Sequence, residues 1–208
     1  MRVYGDIRSG NCYKIHVLLS WLQQPFEWIH VDILAGESQT EAFRQKNPNG
    51  KIPVLELDDG RTLSESNAIL NYLADGTRFL PNDAWQRARA LQWQFFEQYS
   101  HEPYIAVARY IALYLGLPDE RRAEYEAKQA GGNKALSVMN EHLSAHPFFV
   151  GSGPTVADIA LYAYTHVAGD GGFDLSRYPA VAQWCARIEA LPHHKTLAAT
   201  TEEMAHGE

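Results

Sequence analysis

The chain has 208 residues, 46% of them hydrophobic and 21% charged, a balance that suits one substantial core or two small domains and excludes a disordered chain. Twenty-five acids against 18 lysines and arginines leave a formal net charge of −7. That charge argues against nucleic acid or an anionic membrane as the main partner, because phosphate binding needs a dense basic face. Cys12 and Cys185 are the only cysteines, far apart and without partners at ligand spacing, so neither a disulfide framework nor a zinc site is expected. The first residues carry no apolar signal-like run, and no stretch approaches the roughly 18 apolar residues of a membrane span. The expected location is a reducing cytoplasm.

In chain order, residues 2–5 form a short strand-like run and residues 6–11 have turn composition. Ile15, Leu18, Leu19 and Leu22 then recur at helical spacing, which predicts a helix starting near Asn11 or Cys12. Pro25 breaks that pattern, and residues 26–31 read as a strand in a β-α-β crossover with the first. Ser38-Gln-Thr-Glu41 has the spacing of a capping box and opens a short helix through Phe43. Residues 52–57, an Asp59-Gly60 turn and residues 61–63 predict a hairpin, and residues 66–73 a closing helix. Residues 75–81 hold turn formers and no sustained period, as a linker would.

From Asp83 the chain turns helical. A capping spacing at Asp83 and Gln86 opens a helix to about Tyr99, and His101-Glu-Pro103 interrupts it. A second helix covers residues 104–117 and stops at Pro118, and a third spans roughly 120–143, with a break or kink expected at Gly131-Gly132. Thr155 and Asp158 have capping spacing at the start of a fourth helix, residues 169–174 form a loop, and residues 178–192 read as a final helix. The adjacent His193-His194 pair reads as surface, and the polar tail after Leu197 as loose.

The most informative stretch is Asn47-Pro-Asn-Gly-Lys-Ile-Pro-Val-Leu, followed by Leu63-Ser-Glu-Ser-Asn-Ala-Ile-Leu-Asn-Tyr-Leu73. Pro53 lacks the N–H that a central strand needs, so the backbone beside it faces something other than a strand. A cis Ile52–Pro53 bond is one such arrangement. The helix opened by Ser64-Glu-Ser66 offers unpaired N–H groups and a positive dipole end, and with Lys51 it suits a carboxylate-bearing, peptide-like molecule.

These two blocks resemble the glutathione-site half of the cytosolic glutathione S-transferases, of a bacterial, theta- or nu-like kind. The later segments 151–160 and 178–192 resemble that family's helical domain. The resemblance implies an α+β two-domain fold: a thioredoxin-like β-α-β-α-β-β-α domain over residues 1–75, a linker at 76–82, and an all-helical domain from 83 to 208. It implies a cytoplasmic homodimer using glutathione as co-substrate, without a metal, to conjugate small electrophiles in detoxification. Dimerisation is expected through residues 63–73 and 85–96. Glutathione must react as its thiolate, and a hydroxyl or amide donor at a helix N-terminus favours that form.

Ser9-Gly-Asn-Cys12 stands at such a place. Ser9 matches the serine or threonine that relatives place against the thiol, and Asn11 matches an asparagine of nu-like classes, although their motif has Thr and Pro where this chain has Ser and Gly. Each has a plainer reading, as a helix cap for Ser9 or Asn11 and a buried first-turn residue for Cys12. Tyr4 falls on the wrong strand parity to reach the thiol and reads as core. The resemblance further assigns Glu65 and Ser66 to the γ-glutamyl end, the Ile52 backbone to the cysteinyl unit, and Lys51 or Gln39 to the glycyl carboxylate. Pro53, Thr155 and Asp158 are structural. Tyr104 and Arg109, within the cluster Tyr99, His101, Tyr104, Arg109 and Tyr110, are the candidates for contacting the electrophile. Two other readings stand: a glutathione-dependent disulfide reductase or peroxidase, with a mixed disulfide at Cys12 as one route, and a non-catalytic protein-interaction module.

Overall fold

A computed structural model describes residues 1–206, with side chains through residue 202. They form two compact units, one of residues 1–75 together with the segment from Leu191 onward, the other Gly76–Ala190.

The first unit contains β1 (Arg2–Gly5), α1 (Gly10–Leu22), β2 (Glu27–His30), α2 (Glu41–Lys46), β3 (Val54–Glu56), β4 (Thr62–Ser64) and α3 (Ser66–Ala74), the β-α-β-α-β-β-α order of a thioredoxin-like domain. The sheet order is β2-β1-β3-β4. β1 runs parallel to β2, with Val3 opposite Trp28, and antiparallel to β3, with Val3 opposite Leu55. A parallel pair needs a long return connection, and α1 supplies it. Cys12, Ile15, Leu18 and Leu19 on α1 are fully buried. Gly5 permits this packing, since a Cβ there would lie 2.6 Å from the Cys12 sulfur. β3 and β4 meet in the expected tight turn, where Gly60 adopts φ +84° and Leu57 N–H donates to Arg61 O at 2.9 Å.

The cap of α2 differs from the sequence reading. Thr40, not Ser38, accepts from the Phe43 N–H, at 3.3 Å, and residues Glu37–Gln39 form a separate 3₁₀ turn. Tyr4 is half-buried and packs, as expected, against the core cluster of Val31, Phe43 and Val54; its hydroxyl donates to Glu56 at 3.0 Å, and the Lys46 ammonium, itself paired with Glu56, lies 4.9 Å from its ring centroid.

The second unit is helical. α4 (Ala84–Phe96) starts at Asp83, whose side chain accepts from Gln86 N–H. It continues through a π-turn, Glu97–His101, into α5 (Glu102–Arg109), then a second π-turn, Tyr110–Tyr114. Pro103 has no N–H to return to the preceding turn, and the widened π register just before it absorbs that loss without breaking the run. α6 (Asp119–Ala145) is continuous through Gly131 and Gly132, where a kink or break was expected; the helix is not broken there. These glycines serve close approach: a Cβ on Gly131 would come within 2.2 Å of the Tyr104 ring, and one on Gly132 within 2.3 Å of Phe173. α7 (Val156–Thr165) and α8 (Pro179–Glu189) complete the unit.

Asp158 is 0% exposed. It accepts from the N–H of Phe149 and Thr155, the Thr155 hydroxyl and the Trp184 indole, at 2.9–3.1 Å. Thr155 returns the bond to the α7 backbone, completing the capping box. Burial nevertheless pushes the Asp158 carboxyl up to about 6, its four hydrogen bonds opposing the shift only in part.

Two boundaries move. Residues 76–82, read as a linker, belong to the helical unit, because Phe79 and Leu80 are buried and Phe79 O accepts from Val156 N–H. The segment from Leu191 belongs to the first unit rather than the helical one: the Tyr13 hydroxyl donates to Lys195 O at 2.6 Å. His194, read as surface, packs against Trp21, and burial pushes its imidazole down to about 4. Beyond Leu197 the chain forms α9 (Leu197–His206) with Thr200 buried, not a loose tail. Among the described residues no helix is long and apolar enough to cross a membrane.

Candidate functional site

Two helix starts converge in the first unit. α1 begins immediately after Ser9, which is extended at φ −75° and does not cap the helix with its side chain. Its hydroxyl lies near the Cys12 thiol, where it favours the ionised form. Burial pushes that thiol up to about 12, a shift the nearby Ser9 hydroxyl and Lys14 charge only soften. A thiol that stays protonated is neither a nucleophile nor a metal ligand, so the plainer reading of Cys12 as a small buried first-turn residue holds.

α3 begins at Ser66, one residue beyond Glu65, which stands at φ +67° and ψ 109° and makes no side-chain cap. A residue with a Cβ rarely adopts this conformation unless its surroundings hold it there, and such outliers cluster at ligand sites. Between the two helix starts the Asn11 side-chain oxygen accepts from the Ser66 hydroxyl at 3.0 Å and from the Lys14 ammonium at 2.8 Å. Lys14 also donates to the Ser66 hydroxyl, at 3.3 Å. Ser66 is 5% exposed and Lys14 0%. Sequence reading placed Asn11 and Ser66 here and missed Lys14. The available signal was its register: Lys14 lies three residues after Asn11 and four before Leu18, on a face of α1 that is otherwise apolar.

The loop ahead of β3 is held from below. The Ile52–Pro53 peptide is cis, the Ile52 side chain packs on Val31, Phe43 and Val54, and Ile52 lies just outside β3. Gln39 supports this loop rather than facing away from it, its amide donating to Gly50 O at 2.8 Å while Arg44 donates to its oxygen. Gly50, at φ +63°, leaves room for that approach; a Cβ would meet Gln39 at 2.8 Å. Asn47, a second residue the sequence reading left without a role, is buried and donates to Lys51 O at 2.7 Å while accepting from Asn49 N–H. The Lys51 side chain and the Glu65 carboxylate are exposed. The corner thus combines amide and hydroxyl donors, a buried ammonium, an exposed base and an exposed acid, a set that matches an extended zwitterion.

The candidates in the helical unit fare differently. Arg109, expected to meet an acceptor, is 4% exposed, and its guanidinium donates to Asp170 at 2.9 Å; it braces the loop around Asp170 instead. His101 is buried with its ring against the Thr165 hydroxyl. Tyr104 is half-buried, its ring filling the space above Gly131. Tyr110 stacks near Tyr114, at 5.2 Å, and Tyr99 is exposed. His142 and His146 do stand one helical turn apart, a spacing passed over in the sequence, but their rings are parallel at 4.4 Å and continue onto Phe149. They form an aromatic stack rather than a ligand set.

Two family models match the chain: glutathione S-transferase, N-terminal domain, over residues 8–75, and glutathione S-transferase, C-terminal domain, over residues 95–192. A solved glutathione S-transferase from Pseudomonas fluorescens Pf-5 is 63% identical, covers 94% of this chain and 98% of its own, and superposes with a TM-score of 0.93. The disulfide-bond oxidoreductase YfcG of Escherichia coli K12 is 31% identical over 88% of each chain. The glutathione transferase URE2P6 of Phanerochaete chrysosporium, solved in complex with oxidized glutathione, is 27% identical over 99% of this chain and 96% of its own, with a TM-score of 0.85. On the two domain matches and this likeness across nearly its whole length, the chain belongs to the glutathione S-transferase family.

Proposed function

We propose that the protein is a glutathione transferase that binds glutathione in its thioredoxin-like unit and supplies the tripeptide as a thiolate to a small electrophile. The observation that carries this reading is the Asn11–Ser66 hydrogen bond, which joins the starts of α1 and α3 across 55 residues of sequence. The α3 start, which the Glu65 side chain does not cap, receives the γ-glutamyl carboxylate, and the Glu65 carboxylate its ammonium. The Ile52 backbone pairs with the cysteinyl unit, and Lys51 neutralises the glycyl carboxylate. Gln39 acts one step removed, holding Gly50 and hence Lys51 in place.

The cysteinyl sulfur then lies at the α1 start, near Asn11 and Ser9. Donors to a sulfur anion favour the thiolate over the thiol, whose ordinary value is about 8.5. The amide of Asn11 is the main donor, and the Ser9 hydroxyl, which lies beside the Cys12 thiol, the lesser. The thiolate attacks the electrophile, a carbon–sulfur bond forms, and any leaving group departs with the electron pair. Titrating the thiolate absorbance of bound glutathione tests this: a value below that of free glutathione, raised in Asn11→Ala, is expected. No bound glutathione, or an unchanged value in the variant, overturns it.

A second reading has support of its own in the likeness to a disulfide-bond oxidoreductase. Here the same thiolate attacks a disulfide sulfur and releases the other sulfur as thiolate. The buried, protonated Cys12 argues that such chemistry runs between glutathione molecules without a protein cysteine. Turnover of a small disulfide by Cys12→Ala at the wild-type rate supports this route; its loss sinks it.

We further infer a cytoplasmic homodimer. Trp85, Phe95 and Tyr99 are 73%, 68% and 86% exposed, more large aromatic surface along one helical run than a lone chain ordinarily leaves in water. Sedimentation at twice the chain mass, reduced to one by Trp85→Glu with Phe95→Glu, is the expected result.

A further inference from the structure

The geometry points to Lys14 as the positioning residue that fixes the orientation of the Asn11 amide at the thiol end of the glutathione site. The inference rests on the proposed function and adds a residue to it. A lysine inside a helix ordinarily carries its ammonium to water, and burying that charge is costly unless it is hydrogen-bonded. Lys14 is fully buried nonetheless, and its ammonium donates to two groups of the site, the Asn11 oxygen and the Ser66 hydroxyl.

The hydrogen-bond inventory turns this contact into a constraint. An ammonium only donates, whereas a side-chain amide has an accepting oxygen and a donating nitrogen on opposite edges. Were the Asn11 amide rotated by half a turn, its NH₂ would face the ammonium, donor against donor. With the oxygen held by Lys14 and Ser66, both oxygen lone pairs are committed and the nitrogen occupies the other edge. The residue that stabilises a sulfur anion is thereby prevented from presenting its oxygen to it. The position in sequence follows from helix geometry: three residues after Asn11, a long side chain leans back toward the first turn of its own helix and reaches the amide. Ser66 joins the same arrangement from α3, so the lysine ties the thiol donor to the group that receives the γ-glutamyl carboxylate.

The test is a double-mutant cycle read on the thiolate absorbance of enzyme-bound glutathione. Lys14→Met is expected to raise the pKa of the bound thiol by about one unit, a tenfold smaller ratio of thiolate to thiol at neutral pH. In an Asn11→Ala background the same change is expected to add less than a twofold effect, because the amide it orients is gone. An equal shift in both backgrounds, or none in Lys14→Met alone, overturns the role. Should Lys14→Met not fold, Asn11→Asp serves: its carboxylate accepts from Lys14 but has no donor for sulfur. It should melt above Asn11→Ala while holding glutathione with a thiol pKa at least as high; melting below Asn11→Ala would overturn the contact. Wild-type protein that binds no glutathione would remove the proposed function and this role together, whereas a depressed wild-type thiol that Lys14→Met leaves unmoved removes the role alone.

Discussion

The starts of α7 and α3 are built from similar materials and end in opposite states. At α7 a fully buried carboxylate, Asp158, receives two backbone N–H groups, a hydroxyl and an indole, all from its own unit, and Thr155 caps the helix in return. At α3 the buried charge is Lys14, which donates to the side chains of Asn11 and Ser66, and the Glu65 side chain does not cap the helix. The residue before each helix repeats the contrast: Thr155 is in ordinary extended geometry, whereas Glu65 is held at φ +67°. A helix start whose donors are satisfied from within holds its unit together; one that its preceding residue leaves without a side-chain cap suits the anion that the proposed function assigns to it.

Breaking the closed start should cost the most stability. Asp158→Ala strands four donors in the core, and a loss of about 3–5 kcal/mol in urea unfolding is expected, the range for removing one partner of a buried charged network. The pH dependence has a definite sign. Because the folded carboxyl stands at about 6 against an ordinary 3.8, its contribution is most favourable below about 4 and falls as pH rises through about 6, by up to about 3 kcal/mol. Asp158→Asn carries no charge to desolvate, so the difference between wild-type and variant stability should change between pH 4 and 6; a flat difference would place the carboxylate in a wetter setting than its burial implies.

The open start should answer in function rather than stability. Asn11→Ala is expected to lower kcat/KM by about 10- to 100-fold, as for loss of a donor to a developing anion, while costing only about 1–2 kcal/mol of stability. Should it instead destabilise as much as Asp158→Ala, the two starts would be alike and the contrast would fail. Ser9→Ala is the smallest expected change, about 2- to 5-fold in kcat/KM, the scale of one neutral hydrogen bond, because its hydroxyl is the lesser of the two donors proposed for the sulfur.

Much of this was legible in the residues. The proline in the 52–57 run, the Asp59-Gly60 turn and the Thr155–Asp158 spacing each encode a local constraint that any fold would have to respect, and each appears where expected. What escaped were features decided by tertiary neighbours. Gly131-Gly132 reads as a helix break because glycine is a poor helix former, yet here it makes room for the rings of Tyr104 and Phe173. Arg109 reads as a free cation until Asp170, 61 residues away, pairs with it. Lys14 drew no reading because its burial depends in part on Ser66, which arrives from α3, 52 residues away. The stretch beyond Leu197 is polar on average, and the burial of Thr200 within α9 follows from packing that no local pattern announces.

The central claim is that the start of α3, the Ile52 loop and the start of α1 together hold one glutathione. Electron density from a crystal soaked with glutathione tests it most directly. The account predicts the γ-glutamyl carboxylate at the Ser66 N–H, the cysteinyl backbone along Ile52, and the sulfur within hydrogen-bond distance of the Asn11 amide nitrogen. Density elsewhere on the molecule, or a sulfur bonded to Cys12 or facing the Asn11 oxygen, would contradict it.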